Sequence, residues 1–180
     1  EMMYGSQRLI STLDWVNTRR TFQGVKTFWR TAEWDVDAFW MRPMVIEKGN
    51  VDNWDTQQNF FGLWATNKPK PGHLIDLYFL SLINDRNVSA ANVLAGNILQ
   101  GNADTHTLGG RVAGNFDNLL YELEGMYQFG QRSNLDVSAF AVATGVGYRL
   151  PLPMNPQGWI RYDFASGDGN SKDGRSNTFN

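Results

Sequence analysis

The stretch Leu119-Leu-Tyr-Glu-Leu-Glu-Gly-Met-Tyr-Gln-Phe-Gly130 decides how this chain folds. Along an extended backbone, successive side chains point to opposite sides. Tyr121, Leu123, Gly125, Tyr127 and Phe129 therefore share one face, and Glu122, Glu124, Met126, Gln128 and Gly130 share the other. Wrapped on a helix of 3.6 residues per turn, the same apolar groups scatter and leave no stripe to bury. The stretch reads as a strand, greasy on one side and charged on the other.

The same alternation extends in both directions. Before it, Thr107, Gly109, Arg111 and Ala113 alternate with Leu108, Gly110, Val112 and Gly114. After it, Phe140, Val142, Val146 and Tyr148 alternate with Ala139, Ala141, Ala143, Gly145 and Gly147, and Ile160, Tyr162 and Phe164 alternate with Arg161, Asp163 and Ala165. Segments of about ten residues with this period, separated by turn residues, are the signature of transmembrane barrel strands. The pattern predicts nine strands, over 2–9, 22–30, 33–45, 59–67, 73–84, 106–116, 119–131, 137–149 and 158–166. Short turns at Thr31-Ala32, Asn67–Gly72, Asp117-Asn118 and Leu150–Gln157 alternate with polar loops at 10–20, 46–58 and 85–105 and a further one from 167. The loop at 132–136 breaks the trend by being short. Turns on one rim and loops on the other are what outer-membrane barrels show.

Two hairpins test this reading internally. If Asp117-Asn118 is a two-residue turn, Arg111 lies opposite Glu124 and Val112 opposite Leu123. If Thr31-Ala32 is another, Lys26 meets Asp37, Arg30 meets Glu33 and Trp29 meets Trp34. Each hairpin then collects opposite charges on one face and apolar pairs on the other, as cross-strand energetics favour.

Composition narrows the function. The net charge of −2 carries no basic concentration of the kind nucleic acid requires. The absence of cysteine excludes disulfide frameworks, thiolate nucleophiles and cysteine-based metal sites. Aromatic residues make up 13% of a chain whose mean hydropathy is only −0.41, so the apolar groups must gather on one face. No run approaches the roughly 20 apolar residues of a transmembrane helix. Position 1 is Glu with no signal peptide after it, and the end lacks a closing aromatic strand. The 180 residues are therefore expected to be one partial barrel domain within a longer protein.

A charge on the lipid side costs about 2–4 kcal/mol near the bilayer midplane, so the charged face is expected to line a wet lumen. Trp29, Trp34 and Phe116 lie beside short turns, where an interfacial aromatic girdle belongs, and Tyr148 and Trp159 are expected to join them.

At Tyr4-Gly-Ser-Gln-Arg-Leu-Ile, and on through Leu13-Asp-Trp-Val-Asn-Thr-Arg-Arg-Thr-Phe-Gln-Gly-Val-Lys26, the chain resembles the alginate-export family of outer-membrane porins. That family's pattern runs Tyr-Gly, Arg-Leu, a Trp-x-Asn loop, then Arg-x-Phe-Asp-Gly-Val; Gln23 stands here where Asp is usual. Fainter similarity continues through Asp35-Val-Asp-Ala-Phe-Trp, Lys70-Pro-Gly, Asp76-Leu-Tyr, His106-Thr-Leu-Gly and Tyr162-Asp-Phe-Ala-Ser-Gly-Asp. The resemblance implies an exporter or porin for acidic polysaccharide in the bacterial outer membrane, with a charged constriction.

Pore-lining candidates follow from residue type and position. Arg8, Arg19 and Arg20 flank the first long loop, where a guanidinium fork suits bidentate carboxylate binding. They serve equally as loop anchors or as contacts to lipopolysaccharide phosphate. Lys26, Arg30, Arg42, Arg111 and Arg161, with Asp35, Asp37, Asp76, Glu122, Glu124 and Asp163, are assigned to the water-filled side. Arg111 with Glu124, and the pairs near Thr31, read best as structural ion pairs. Arg42 and Arg161 have no obvious partner and are the candidates for selectivity, since rings of charge set it. Acidic and basic lumen groups are nearly balanced in number, so count alone does not make an anion channel.

His73 and His106 are too far apart for a metal site, and Asp168–Asp173 fails as a calcium loop because Lys172 stands at a ligand position. Asn87-Val-Ser is a glycosylation triplet without meaning in a bacterial protein. No Gly-x-Ser-x-Gly, Walker or Rossmann pattern occurs, so no enzyme and no cofactor are expected. The expected function is an outer-membrane pore or exporter wall passing anionic polysaccharide or small polar solutes by diffusion. Its surroundings would be membrane lipid and lipopolysaccharide. The rival is a non-transport structural or carbohydrate-binding β protein, in which the aromatics form a core or a stacking platform.

Overall fold

The computed structural model describes residues 2–14, 19–46, 49, 51–85, 102–133, 135–170 and 173–180. They form strands β1 (Phe22–Arg30), β2 (Trp34–Val45), β3 (Asn53–Trp54), β4 (Gln58–Asn67), β5 (His73–Asn84), β6 (Ala103–Phe116), β7 (Leu119–Arg132), β8 (Leu135–Arg149), β9 (Gln157–Ala165) and β10 (Arg175–Ser176). All lie in one sheet, ordered β1-β2-β4-β5-β6-β7-β8, with β3 on β2 and β9 on β8. These long neighbours run antiparallel in chain order, the up-and-down topology of a barrel wall, and the sheet is not closed among the described residues. Eight of the nine expected strands are present with ends shifted by at most three residues. Both two-residue strands escape the sequence pattern. One of them, β10, pairs parallel to β8, a local exception to the antiparallel order.

The Asp117-Asn118 hairpin has the expected register, with Arg111 opposite Glu124 and Val112 opposite Leu123. Asp117 takes φ +50 at the turn, which a short polar side chain tolerates. The first hairpin differs: Arg30 faces Asp35 and Trp29 faces Val36, two residues from the expected register. Thr-Ala cannot readily supply the left-handed φ values of a two-residue turn. The chain instead closes a wider loop through the Thr31 hydroxyl, which accepts from the Trp34 amide at 2.9 Å. A shift of two preserves the alternation, so every side chain keeps its face.

The sheet is inside out relative to a soluble domain. Leu63, Leu77, Leu108, Leu123, Tyr127, Phe140, Val146 and Ile160 are exposed on one face, while Asp37, Asp76, Glu122, Glu124 and Gln128 are buried on the other. A monomeric soluble protein rarely exposes an apolar patch beyond a few hundred Å². This face suits acyl chains. Around its short-turn rim sit exposed Trp29, Trp34, Phe116 and Tyr148. Tyr121 there packs on Phe116 and bonds His73 at 2.8 Å. Trp159 does not join this girdle. It shares the parity of Arg161, opposite Gly147, and lies on the inner face.

Residues 2–9, expected as a strand, are not one. Gly5 and Gln7 take left-handed φ values of +56 and +63, which break the extended run into turns. The segment becomes a strap across the inner face. Tyr4 packs on Phe39 and Trp64, while Met2 and Ile10 join a buried cluster with Trp64, Tyr78, Met126 and Ala141. At the other end of the chain Phe179 packs on this cluster, and Asn180 exchanges hydrogen bonds with Gln128. The small inward residues Ala139, Ala141 and Ala143 on β8 are buried at this level of the face. Most of the loop expected at 85–105, including Asn87, and the Trp15–Asn17 loop motif lie outside the described residues.

Candidate functional site

The inner face carries a charged belt built by register. Asp35, Thr66, Asp76, Arg111 and Glu124 are consecutive partners across β2, β4, β5, β6 and β7. Arg111 donates to Asp76 and to Glu122, both at 2.9 Å. Arg161 reaches over β8 to the other Glu122 oxygen at 3.0 Å. From the strap, Arg8 donates to Glu122 at 2.9 Å and Glu124 at 2.7 Å, with Asp163 at 3.9 Å. Trp64 and Thr66 donate to Asp76, and Tyr78 to Glu124 at 2.7 Å. Three guanidiniums thus converge on Glu122, and every carboxylate of this cluster is satisfied, as burial demands. A second cluster centres on Asp37, which accepts from Tyr4 at 2.7 Å and Lys26 at 2.9 Å and also pairs with Arg30. Beside it Asp35 pairs with Lys68 at 2.9 Å.

Position in the sheet decides how exposed these charges are. The side chains of Asp37, Asp76, Arg111, Glu122 and Glu124, on β2, β5, β6 and β7, are 3–12% exposed, and Arg8 of the strap 20%. On the edge strands β1 and β9, Lys26, Arg30 and Arg161 are 38–47% exposed and Asp163 64%. Asp35 and its partner Lys68 are 35% and 40% exposed.

The family model for alginate export matches residues 1–180, the whole chain. The chain belongs to the alginate-export family. No curated protein and no solved structure matches it. The family is one of transport rather than enzymes, and membership with the inside-out sheet identifies an outer-membrane β-barrel segment of an export pore.

Within that barrel the strap carries two tuned groups. Burial, then the Asp37 hydrogen bond, pushes the Tyr4 phenol well up, so it stays a proton donor. For Arg8, burial alone lowers the guanidinium's pKa, but its bonds to Glu122 and Glu124 prevail and raise it.

The candidate residues fall into three places. Arg8, Lys26, Arg30, Asp35, Asp37, Asp76, Arg111, Glu122, Glu124, Arg161 and Asp163 come together on the inner face. Arg42 does not. Its parity is opposite to that of Asp37, and it lies on the outer face with its guanidinium over Trp40 and Trp54 and its Nε donating to Asn59 at 3.1 Å. Arg42 therefore does not line the inner face; near the bilayer edge an outward charge costs only about 0–1 kcal/mol. Arg19 and Arg20 stay exposed near the long-loop end of β1, Arg19 paired with Asp14 at 3.4 Å. Sequence reasoning missed Lys68, Tyr4 and Tyr78 as members of the belt. Lys68 stands next to a Pro-rich turn, and its partner Asp35 lies on the preceding long strand, so only the register could have paired them.

Proposed function

We propose that this chain forms part of the wall of an outer-membrane pore through which anionic polysaccharide passes passively, with small anions sharing the route. The observation that carries this reading is a charged inner face set against an exposed apolar one in a chain of the alginate-export family: Arg8, Arg111 and Arg161 converge on Glu122, and Lys26 and Arg30 on Asp37. A low-dielectric channel presenting one sign of charge concentrates the opposite sign inside it. Guanidiniums held in place by buried carboxylates keep a donor edge free for the carboxylates of a passing polymer. The exposed apolar face meets lipid, with lipopolysaccharide at the long-loop rim.

The test is electrical. The full-length barrel of which this chain is a segment, reconstituted in planar bilayers under a KCl gradient, should give a reversal potential of anionic sign, and an oligouronate added on one side should block the current. A cation-selective current, or one indifferent to oligouronate, overturns the reading.

A further inference from the structure

Arg42 stands on the outer face of β2, near the end of that strand at the long-loop rim. Its guanidinium lies over the indoles of Trp40 and Trp54, 5.4 Å from each ring centroid. Asn59 of β4 fixes the arrangement. Its Oδ1 accepts from Trp40 Nε1 at 3.0 Å and from Arg42 Nε at 3.1 Å. The two Nη groups make no hydrogen bond or ion pair among the described residues. The register partner of Arg42 on β1 is Gln23, an amide rather than a carboxylate. Because β2 is paired on both sides, by β1 and β4, the opening over Arg42 belongs to the surface of the wall and not to a free edge. Toward the opposite rim the same face continues as exposed Phe61 and Leu63. Arg42 thus sits where the apolar band ends, held in place and with its terminal donors unused.

We propose that Arg42, set by Trp40, Trp54 and Asn59, clamps one phosphate of a lipopolysaccharide molecule against the outer surface of the barrel. A fixed, permanently charged guanidinium with a free donor edge suits the oxygens of a phosphate better than any neutral headgroup. Long loops face the cell exterior in outer-membrane barrels, so the leaflet at this rim is the lipopolysaccharide one. Its phosphates lie on sugars directly above the acyl chains. The heights agree: acyl chains cover Phe61 and Leu63 while a phosphate reaches Arg42, and the two indoles lie at the boundary where tryptophan collects. Binding supplies the counter-charge that the protein itself withholds. A polymer passing along the inner face never meets this group. The clamp rests on the outer-membrane reading above and names the lipid group that the wall holds.

Native mass spectrometry of the full-length barrel of which this chain is a segment, titrated in detergent with bisphosphorylated lipid A, tests the clamp. Arg42→Ala should retain one lipid A molecule fewer than the wild type, as an affinity loss of about ten-fold or more at a single site gives. Gln23→Asp leaves Arg42 in place but sets a carboxylate opposite it, and should lose the same molecule. Lipid A stripped of its phosphates should bind the wild type and both variants alike. An excess of inorganic phosphate should leave the extra molecule bound. Equal retention in the wild type and both variants overturns the proposal, as does a difference that persists with the stripped lipid. Displacement by inorganic phosphate overturns it too, by giving the site to a soluble anion. Bilayer recordings on the same preparations separate the two levels. An anion-preferring pore whose lipid A retention ignores both substitutions sinks the clamp alone, whereas a protein that stays soluble and monodisperse without detergent sinks the reading beneath it.

Discussion

Arg8 and Glu122 meet at 2.9 Å although 114 positions separate them in the chain. This bond, with its neighbour to Glu124, ties the strap to the middle of the inner wall. The strap therefore occupies lumen space for as long as the ion pairs hold.

Arg8→Ala should free that strap. Removing one partner of a buried pair costs about 3–5 kcal/mol; Glu122 keeps two other guanidiniums here, so a loss of roughly 1–3 kcal/mol is expected. Amide hydrogen exchange over residues 2–12 should accelerate, and single-channel conductance should rise as the wall is uncovered. Unchanged protection of those amides in Arg8→Ala would show that the apolar packing of Met2, Tyr4 and Ile10 holds the strap without the ion pairs.

Glu122→Gln keeps the shape of the residue on which three guanidiniums converge but removes its charge. The lumen becomes more cationic, and the cluster loses part of its charge-assisted hydrogen bonding, worth about 1.5–3 kcal/mol per bond to a charged group. The reversal potential in a KCl gradient should move further toward anions, and the urea midpoint for unfolding from lipid should fall. A shift toward cations would mean that Glu122 does not face the conducting path.

Arg161 and Arg42 form a contrasting pair because they lie on opposite faces of the wall. Arg161→Ala should shift permeability toward cations, while Arg42→Ala should leave it unchanged. Equal shifts in both would contradict the assignment of faces.

Strands were legible because period two is local: the stretch from Leu119 to Gly130 suffices to tell the two faces apart, and the Asp117 turn then sets the pairing of β6 with β7. Tyr4-Gly-Ser-Gln-Arg-Leu-Ile carries enough alternation to look like another strand. What redirects it is the left-handed backbone at Gly5 and Gln7, together with partners on β2, β4 and β7 that no local pattern reveals. The inner-face expectation for Arg42 fails for a related reason. Around Phe39-Trp-Met-Arg42 both parities are apolar, so residue type outweighed the position that sets it opposite to Asp37. Closeness to a short turn suggests the girdle for Trp159. Its parity with Arg161, together with the small residues Gly145 and Gly147 opposite, was the signal that places it inside. The convergence of Arg8 on Glu122 and Glu124 could not be read at all, because the strap that carries it lies more than a hundred residues away in the chain.

Leu123→Arg introduces a charge among Val112, Thr144 and Tyr162 on the apolar face. A cost of about 2–4 kcal/mol is expected if that position lies near the bilayer midplane. The folded fraction recovered in lipid vesicles at intermediate urea should drop relative to wild type and to Leu123→Ala. A charge tolerated there without loss would place this face in water.

Because the chain holds no cysteine, single nitroxide labels can be walked through residues 119–130 in lipid vesicles without background. Labels at 121, 123, 125, 127 and 129 should show high collision rates with oxygen, which concentrates in hydrocarbon, and low rates with a charged nickel chelate. Labels at 122, 124, 126 and 128 should show less oxygen, giving an oscillation of period two. An oscillation of opposite phase, a period near 3.6, or nickel access along the odd-numbered residues would contradict the account.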